Sequence, residues 1–256
     1  MFLAVDVGNT QTVLGLYDDE RLLAHWRVAT VMSDTADELD VRVRSLFALR
    51  KIDCAVVTDV AIASVVPPLT EQWRHVASRY TKDSPLILSS SLDIGLAIKY
   101  RNPAEIGADR LADAVAAIEL YGSPVVVADF GTATNIEVID KDGAFVGGVI
   151  APGLVTSAEA LFKAAARLAK ISIEVPPTVI GSTTKGAVQS GLTFGEIDRI
   201  DGLIRRIFAE LGYTATVVAT GGLSARVVGL SQTIDIVNDD LTLEGLRIIY
   251  QRIRKS

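Results

Sequence analysis

The sequence is poor in the residues that mark secreted, membrane or metal-thiolate proteins. One of its 256 residues is cysteine and two are histidine. A single thiol, Cys54, excludes an intrachain disulfide and fits a reducing compartment. It lies in the apolar, strand-like run "KIDCAVVTDVAIASVV" and reads as a small core residue. His25 and His75 are isolated and share no metal-ligand spacing, so they read as surface or satisfied core groups. No apolar run approaches the roughly 18 residues that a membrane span needs. Asp6 interrupts the apolar start, which excludes a leader-like pattern there. The expectation is a soluble cytoplasmic protein with no membrane partner. Positive charge is also short: the formal net charge is -6, and no basic face offers an electrostatic footprint for nucleic acid. No low-complexity linker divides the chain.

Apolar residues are plentiful, 49% of the chain, enough for the cores of two modest domains. The first third reads as strand, hairpin, strand, then helix. "FLAVDV" and "TVLGLYD" are rich in β-formers, "DDER" is a turn and "LLAHWRVAT" a third strand. "SDTADELDVRVRSLFALR" has a Ser/Asp start and helical apolar spacing at Leu39, Val43, Leu46 and Leu49. "VAIASVVPPL" reads as a buried strand ended by prolines, "LTEQWRHVASRY" as a helix and "SPLILSS" as a short strand. The second half begins with a helix, "GADRLADAVAAIELYG", which carries Leu111, Val115 and Ile118 on one face. "PVVVADFGTATNIEVIDKDGAFVGGVIAPGL" then repeats the opening order of strand, Gly-containing turn, strand, turn and strand. Helical segments over 154–169 and 196–211, the strand "ATVVATGG" and a terminal helix complete the chain. The repeat, roughly half a chain long, suggests two copies of one α/β unit facing each other. The expected division is 1–115 and 116–256.

The repeated element is an apolar strand ending in Asp-x-Gly: Asp6-Val7-Gly8-Asn9-Thr10, and again Asp129-Phe130-Gly131-Thr132-Ala133. Glycine lets a backbone approach an anion closely. Turn N–H groups and a Thr hydroxyl can donate to phosphate oxygens, and an aspartate suits Mg²⁺, another hard cation or a metal-bound water. One such turn also fits a plain hairpin. Two in matching strand contexts suggest a pair that clamps nucleotide phosphates from both sides of a cleft. A third piece, "VVATGGLSARV", runs a strand into Gly221-Gly222 and then a helix, a junction that lets backbone lie against adenosine or phosphate. The order of the three pieces matches the phosphate 1, phosphate 2, adenosine layout of the actin-like ATPase and sugar-kinase superfamily.

"NPAEIGADRLADAVAA" narrows the resemblance. With "DVGNT", "DFGTA", "GGVIAPG" and "ATGGL" in this order, nearly the whole chain resembles the type III pantothenate kinase family. The most specific signals are Gly107-Ala108-Asp109-Arg110 and Gly147-Gly148-x-Ile150-x-Pro152-Gly153. The resemblance implies an α/β fold of two duplicated ribonuclease H-like (actin-like ATPase) domains with a nucleotide cleft between them. It implies phosphorylation of pantothenate by ATP, a homodimer with the pantothenate pocket at its interface, Mg²⁺, and a monovalent cation such as K⁺ or NH₄⁺. Carried over residue by residue, Asp6, Gly8, Asn9 and Thr10 form the first phosphate loop, Asp6 directing Mg²⁺ through water. Gly131, Thr132 and Ala133 form the second loop, Asp129 is the monovalent-cation ligand, and Gly221 and Gly222 face the adenosine. Asp109 corresponds to the catalytic base, Gly107 and Arg110 to its substrate-binding neighbours, and Tyr100 and Thr184 to pocket residues.

From the residues alone, Asp109 also reads as a helix N-cap. In either role the helix dipole and Arg110 are expected to keep it ionised. Two positions depart from the family's second loop, commonly Gly-Thr-Ala-x-Thr-x-Asp: Asn135 and Glu137 stand where Thr and Asp are usual. An extra methylene shifts a carboxylate enough to disturb a metal–water network. Two other functions stay open on the residues: a kinase for another hydroxy acid or sugar, or a polyphosphate phosphatase; and a catalytically silent paralogue acting through protein contacts.

Overall fold

A computed structural model describes residues 1–165, 168, 170–224 and 228–255. The chain is a mixed α/β protein that divides into two compact units. The first comprises Met1–Leu96, Arg101–Ala116 and Leu241–Ser256, the second Ala97–Tyr100 and Ala117–Asp240.

In the first unit, β1 (Phe2–Val7), β2 (Gln11–Asp18), β3 (Arg21–Ala29), β4 (Asp59–Ser64) and β5 (Leu86–Ile87) form a sheet of order β3-β2-β1-β4-β5. β1 pairs antiparallel with β2 and parallel with β4. Period-2 alternation gives each face its own helices. Leu3, Val5, Val60 and Ile62 point into a core shared with α1 (Ala36–Leu49) and α2 (Pro67–Ala77). Phe2, on the opposite face, stacks on Tyr250 of α6 (Leu241–Lys255) with ring centroids 4.7 Å apart. A Cβ on Gly15 of β2 would stand 2.9 Å from Leu243 Cδ1, so α6 lies close on that face. The terminal helix therefore belongs to the first unit, and the expected division, which keeps it with the second half, is corrected by this packing.

α1 is capped by Thr35, one residue past its Ser33-Asp34 signal. Thr35 accepts from the Glu38 amide, while Glu38 reaches back to the Thr35 backbone. Its buried face is Leu39, Val43 and Phe47, and Leu49, expected in the stripe, is exposed. Cys54 lies not in a strand but in a 3₁₀ turn, Cys54–Val56, partly buried against the same core.

The second unit repeats the scheme. β7 (Val125–Phe130), β8 (Ala133–Ile139), β9 (Ala144–Pro152), β10 (Thr216–Thr220) and β11 (Ile236–Val237) form a sheet of order β11-β10-β7-β8-β9, with β6 (Ala97–Ile98) added beside β9. β7 pairs antiparallel with β8 and parallel with β10, the relations of β1 to β2 and β4. Val126, Ala128 and Phe130 enter a core with α4 (Leu154–Ala164) and α5 (Thr184–Leu211). α5 begins twelve residues before its expected start at 196. Gly186, Gly191 and Gly195 weaken the helical signal, but Thr183 caps the helix by accepting the Gly186 amide, and Gln189, Leu192 and Thr193 are buried. α4 ends at Ala164. Residues 166, 167 and 169 of the segment expected to be helical, and 225–227 of the helix expected after Gly222, lie outside the described residues. Between them, α3 (Ala108–Tyr121) passes from the first unit into the second.

Candidate active site

β1 and β7 have the same burial profile: five buried residues interrupted only by the aspartate, Asp6 or Asp129, which is partly exposed. A charge one residue from a strand's end, on the face opposite the α1/α2 or α4/α5 core, escapes the desolvation it would meet mid-strand.

In the first unit the Val7 carbonyl accepts from the Val65 amide at 3.1 Å, which ties the start of the turn to the end of β4. The turn then closes on itself, Gly8 N–H donating to Gln11 O at 3.0 Å. A Cβ on Gly8 would lie 2.9 Å from that same oxygen, so the tight closure requires glycine. Thr10 O accepts the Thr30 amide at 2.9 Å, and Gly8 O accepts the Thr30 hydroxyl at 2.8 Å.

Gly107 caps α3: Leu111 N–H donates to its carbonyl at 3.2 Å. Asp109 is thus in the first helical turn and not at the N-cap. Its carboxylate folds back to accept the Arg110 amide at 2.8 Å. A Cβ at residue 107 would overlap Asp109 Oδ1 and stand 3.3 Å from Val65 Cγ1. Glycine at 107 therefore leaves room for the carboxylate and places the start of α3 beside the segment that hydrogen-bonds to the first turn. Arg110 is buried beside it. Burial raises the Asp109 pKa, while the Arg110 amide and guanidinium pull it down. The neighbours expected to keep it ionised do favour the carboxylate, but desolvation outweighs them and leaves the pKa raised. A raised pKa suits a group that must accept a proton.

The second unit builds its turn from different parts. Gly131 N–H donates to Ala133 O at 3.0 Å, and Thr132 O receives both the Gly153 amide at 3.1 Å and the Thr156 hydroxyl at 2.6 Å. A Cβ on Gly153 would stand 2.7 Å from Thr132 O, so Gly153 is needed for that close approach. Gly221, at φ +90°, lies against Asp129: a Cβ there would overlap Asp129 Oδ1 and come within 2.7 Å of Phe130 N and O. Gly221 therefore lies directly against the second aspartate, with Gly222 next in the turn. Asn135 pairs with Asp129 in the β7–β8 register, and Glu137 is fully buried on β8. One of the two departures is thus the cross-strand neighbour of Asp129.

Sequence reasoning missed the buried network beneath this turn. Thr134 donates to Glu196 at 2.6 Å, Glu196 also pairs with Arg199, and Arg199 donates to Pro152 O at 2.8 Å. Glu196 and Arg199 lie one helical turn apart on α5, but nothing in the chain marks Thr134 as their partner. Tyr100 packs edge-on to Phe145 with centroids 6.0 Å apart and lies over Gly147, at φ +142°. Thr184 is an exposed residue at the first position of α5.

Among the described residues no three His, Cys, Asp or Glu side chains gather as a metal cluster. No helix among the described residues is long and apolar enough to cross a membrane.

Two sheets of this order, with Asp-x-Gly turns at the ends of β1 and β7, are found in known folds. The ROK hexokinase from Thermus thermophilus aligns over 98% of this chain and 99% of its own, with TM-score 0.54 and 12% identity. The activator of the 2-hydroxyisocaproyl-CoA dehydratase from Clostridium difficile, solved with bound ADPNP, aligns over 100% and 97% with TM-score 0.53 and 11% identity. At such identities the likeness is one of fold. The family model described as "Type III pantothenate kinase" matches residues 2–206. Curated relatives of that name are 46% identical in Myxococcus xanthus, over 100% of both chains, and 44% identical in Anaeromyxobacter sp., over 99% of this chain and 100% of the relative. The chain belongs to the type III pantothenate kinase family.

Proposed function

We propose that this protein transfers the γ-phosphoryl group of ATP to the 4′-hydroxyl of pantothenate, giving 4′-phosphopantothenate and ADP, the first step of coenzyme A synthesis. The observation that carries the reading is the Gly107–Arg110 corner. There a carboxylate with a raised pKa is held at the start of α3, in the same unit as a glycine turn and its own aspartate.

Asp109 orients the pantothenate hydroxyl and accepts its proton as the oxygen–phosphorus bond forms. The loose transition state of phosphoryl transfer releases that proton late, so prior formation of an alkoxide is not needed. Arg110 and Gly107 bind pantothenate beside it, with Tyr100 and Thr184 lining the pocket. Gly8, Asn9 and Thr10 in the first unit, and Gly131, Thr132 and Ala133 in the second, donate to phosphate oxygens, and Gly221 and Gly222 face the adenosine. Asp6 holds Mg²⁺ through water, and that ion supplies neutralisation of phosphate charge. Asp129 takes the monovalent cation, K⁺ or NH₄⁺. The repeated strand order supports duplicated ribonuclease H-like, actin-like halves. A homodimer is supported by Ile150, Val155 and Leu161, large apolar side chains left exposed at the end of β9 and on α4, with the pantothenate pocket at that interface. The protein acts in the cytoplasm.

The test is phosphorylation of pantothenate by ATP with Mg²⁺, in K⁺ and in Na⁺. Product formed in equal amount with ADP, faster in K⁺, is the expected result. No phosphopantothenate from folded, dimeric protein overturns the reading.

A further inference from the structure

Each turn is fastened by an amide and a threonine hydroxyl, supplied by the segment that follows the last strand of its three-stranded meander, β1–β3 or β7–β9. Thr30 follows β3, and its amide holds Thr10 O at 2.9 Å. Gly153 follows β9, and its amide holds Thr132 O at 3.1 Å. A threonine hydroxyl adds a second tie in each unit: Thr30 Oγ1 to Gly8 O at 2.8 Å, and Thr156 Oγ1 to Thr132 O at 2.6 Å. A hydroxyl has one proton. Thr30 spends its proton on Gly8, so in the 2.9 Å contact between Thr12 and Thr30 hydroxyls, Thr12 is the donor. Thr12 is 3% exposed, which makes a relay of Thr12 to Thr30 to Gly8 O beneath the first turn.

These ties aim the turns. In a trans peptide the carbonyl and the following N–H point in opposite directions. The Ser123–Pro124 bond is the only cis bond among the described residues. Holding Gly8 O toward Thr30 turns the Asn9 N–H away from it, and holding Thr132 O toward α4 turns the Ala133 N–H away from that helix. Preset donors need no reorganisation when an anion arrives.

We propose that Thr30 and Thr156 are positioning residues for phosphate binding, their hydroxyls fixing the direction of the Asn9 and Ala133 amides without touching the nucleotide. This rests on the assignment of both turns to ATP, and the experiment separates the two. Magnesium–ATP binding is measured by calorimetry, beside KM for ATP and for pantothenate, in wild type, Thr30→Val, Thr30→Ser, Thr156→Val and Thr156→Ser. Each Val variant is expected to weaken ATP binding and raise KM for ATP about five- to tenfold, the factor set by one hydrogen bond. KM for pantothenate stays within about twofold, and the Ser variants recover most of the loss. Folded Val variants with unchanged ATP binding, or a Val defect that Ser does not repair, overturn the proposal. So does an equal rise of both KM values, the mark of general loosening. Should Thr30→Val melt below the assay temperature, Thr156→Val, altered near the helix surface, decides the matter. A wild type that binds ATP but leaves pantothenate unchanged defeats the kinase reading, and the binding comparison still judges the two threonines.

Discussion

The first and second turns close the same kind of hairpin, yet their neighbours differ. Asp6 stands across from Val13 on β2 and Ala63 on β4, and its turn spans residues 8–11 before pairing resumes at Thr12. Asp129 stands across from Asn135 on β8 and Thr220 on β10, and its turn spans only residues 131–133. Asp6 thus has apolar cross-strand partners and a longer turn. Polar partners and the backbone of Gly221 crowd Asp129. One strand scheme, used twice, thus yields two partly buried aspartates with different neighbours. That difference is what the proposed division of labour, Mg²⁺ at Asp6 and a monovalent cation at Asp129, draws on. The first unit alone adds the Gly107–Arg110 corner, where the proposed base lies.

The comparison breaks most visibly at Asp109. Asp109→Asn is expected to lower kcat about 10²–10⁴-fold, the usual worth of a positioned proton acceptor, with KM for ATP little changed. The same variant should melt no lower than wild type. A carboxyl whose pKa is raised on folding costs stability once pH exceeds its unfolded value near 3.8, and the amide removes that cost. Because the base must be unprotonated, kcat/KM should fall on the acid side at a pH above the ordinary aspartate range; a limb at or below pH 4 would contradict the raised pKa.

Exchanging the two aspartates' roles is the next test. Asp6→Asn should raise the Mg²⁺ concentration needed for half-maximal rate by about tenfold, one lost charge-assisted contact. Asp129→Asn should instead erase the advantage of K⁺ over Na⁺. Equal responses of both variants to both ions would collapse the distinction.

The glycines sharpen it further. Gly221→Ala meets left-handed strain worth about 1–2 kcal/mol as well as overlap with Asp129 and Phe130. It should lower Tm by several degrees and weaken ATP binding. Gly8→Ala meets a single backbone oxygen at 2.9 Å, and its Tm should fall less. The smallest effect on activity is expected at Thr134→Val, which takes one donor from buried Glu196 and should cost about 1–3 kcal/mol of stability, read by denaturant unfolding, with KM for pantothenate unchanged.

Much of this was legible in the chain. The strand–turn–strand repeat could be read because alternation, turn residues and glycines are local signals. The aspartate positions followed from where each apolar run stops. The start of α5 was not legible: its glycines argue against helix, and only burial of Gln189, Leu192 and Thr193 overrides that cost. Nor was the direction of the Asp109 pKa shift. Arg110 and the helix start are visible as neighbours in sequence, whereas desolvation depends on groups brought by other elements. Thr30 and Thr156 carry no motif at all, and their meaning lies in which carbonyl each hydroxyl meets.

The sequence by itself determined the two α/β repeats, the glycine turns, the paired aspartates and the Gly-Ala-Asp-Arg corner, because each is written in contiguous residues whose conformations are set by near neighbours. The tertiary structure alone decided that the last helix packs on the first sheet, that Gly221 presses against Asp129, that Glu196 lies under Thr134, and that Asp109 is desolvated. Those are contacts between residues far apart in the chain, fixed by burial and close packing, which no local pattern encodes.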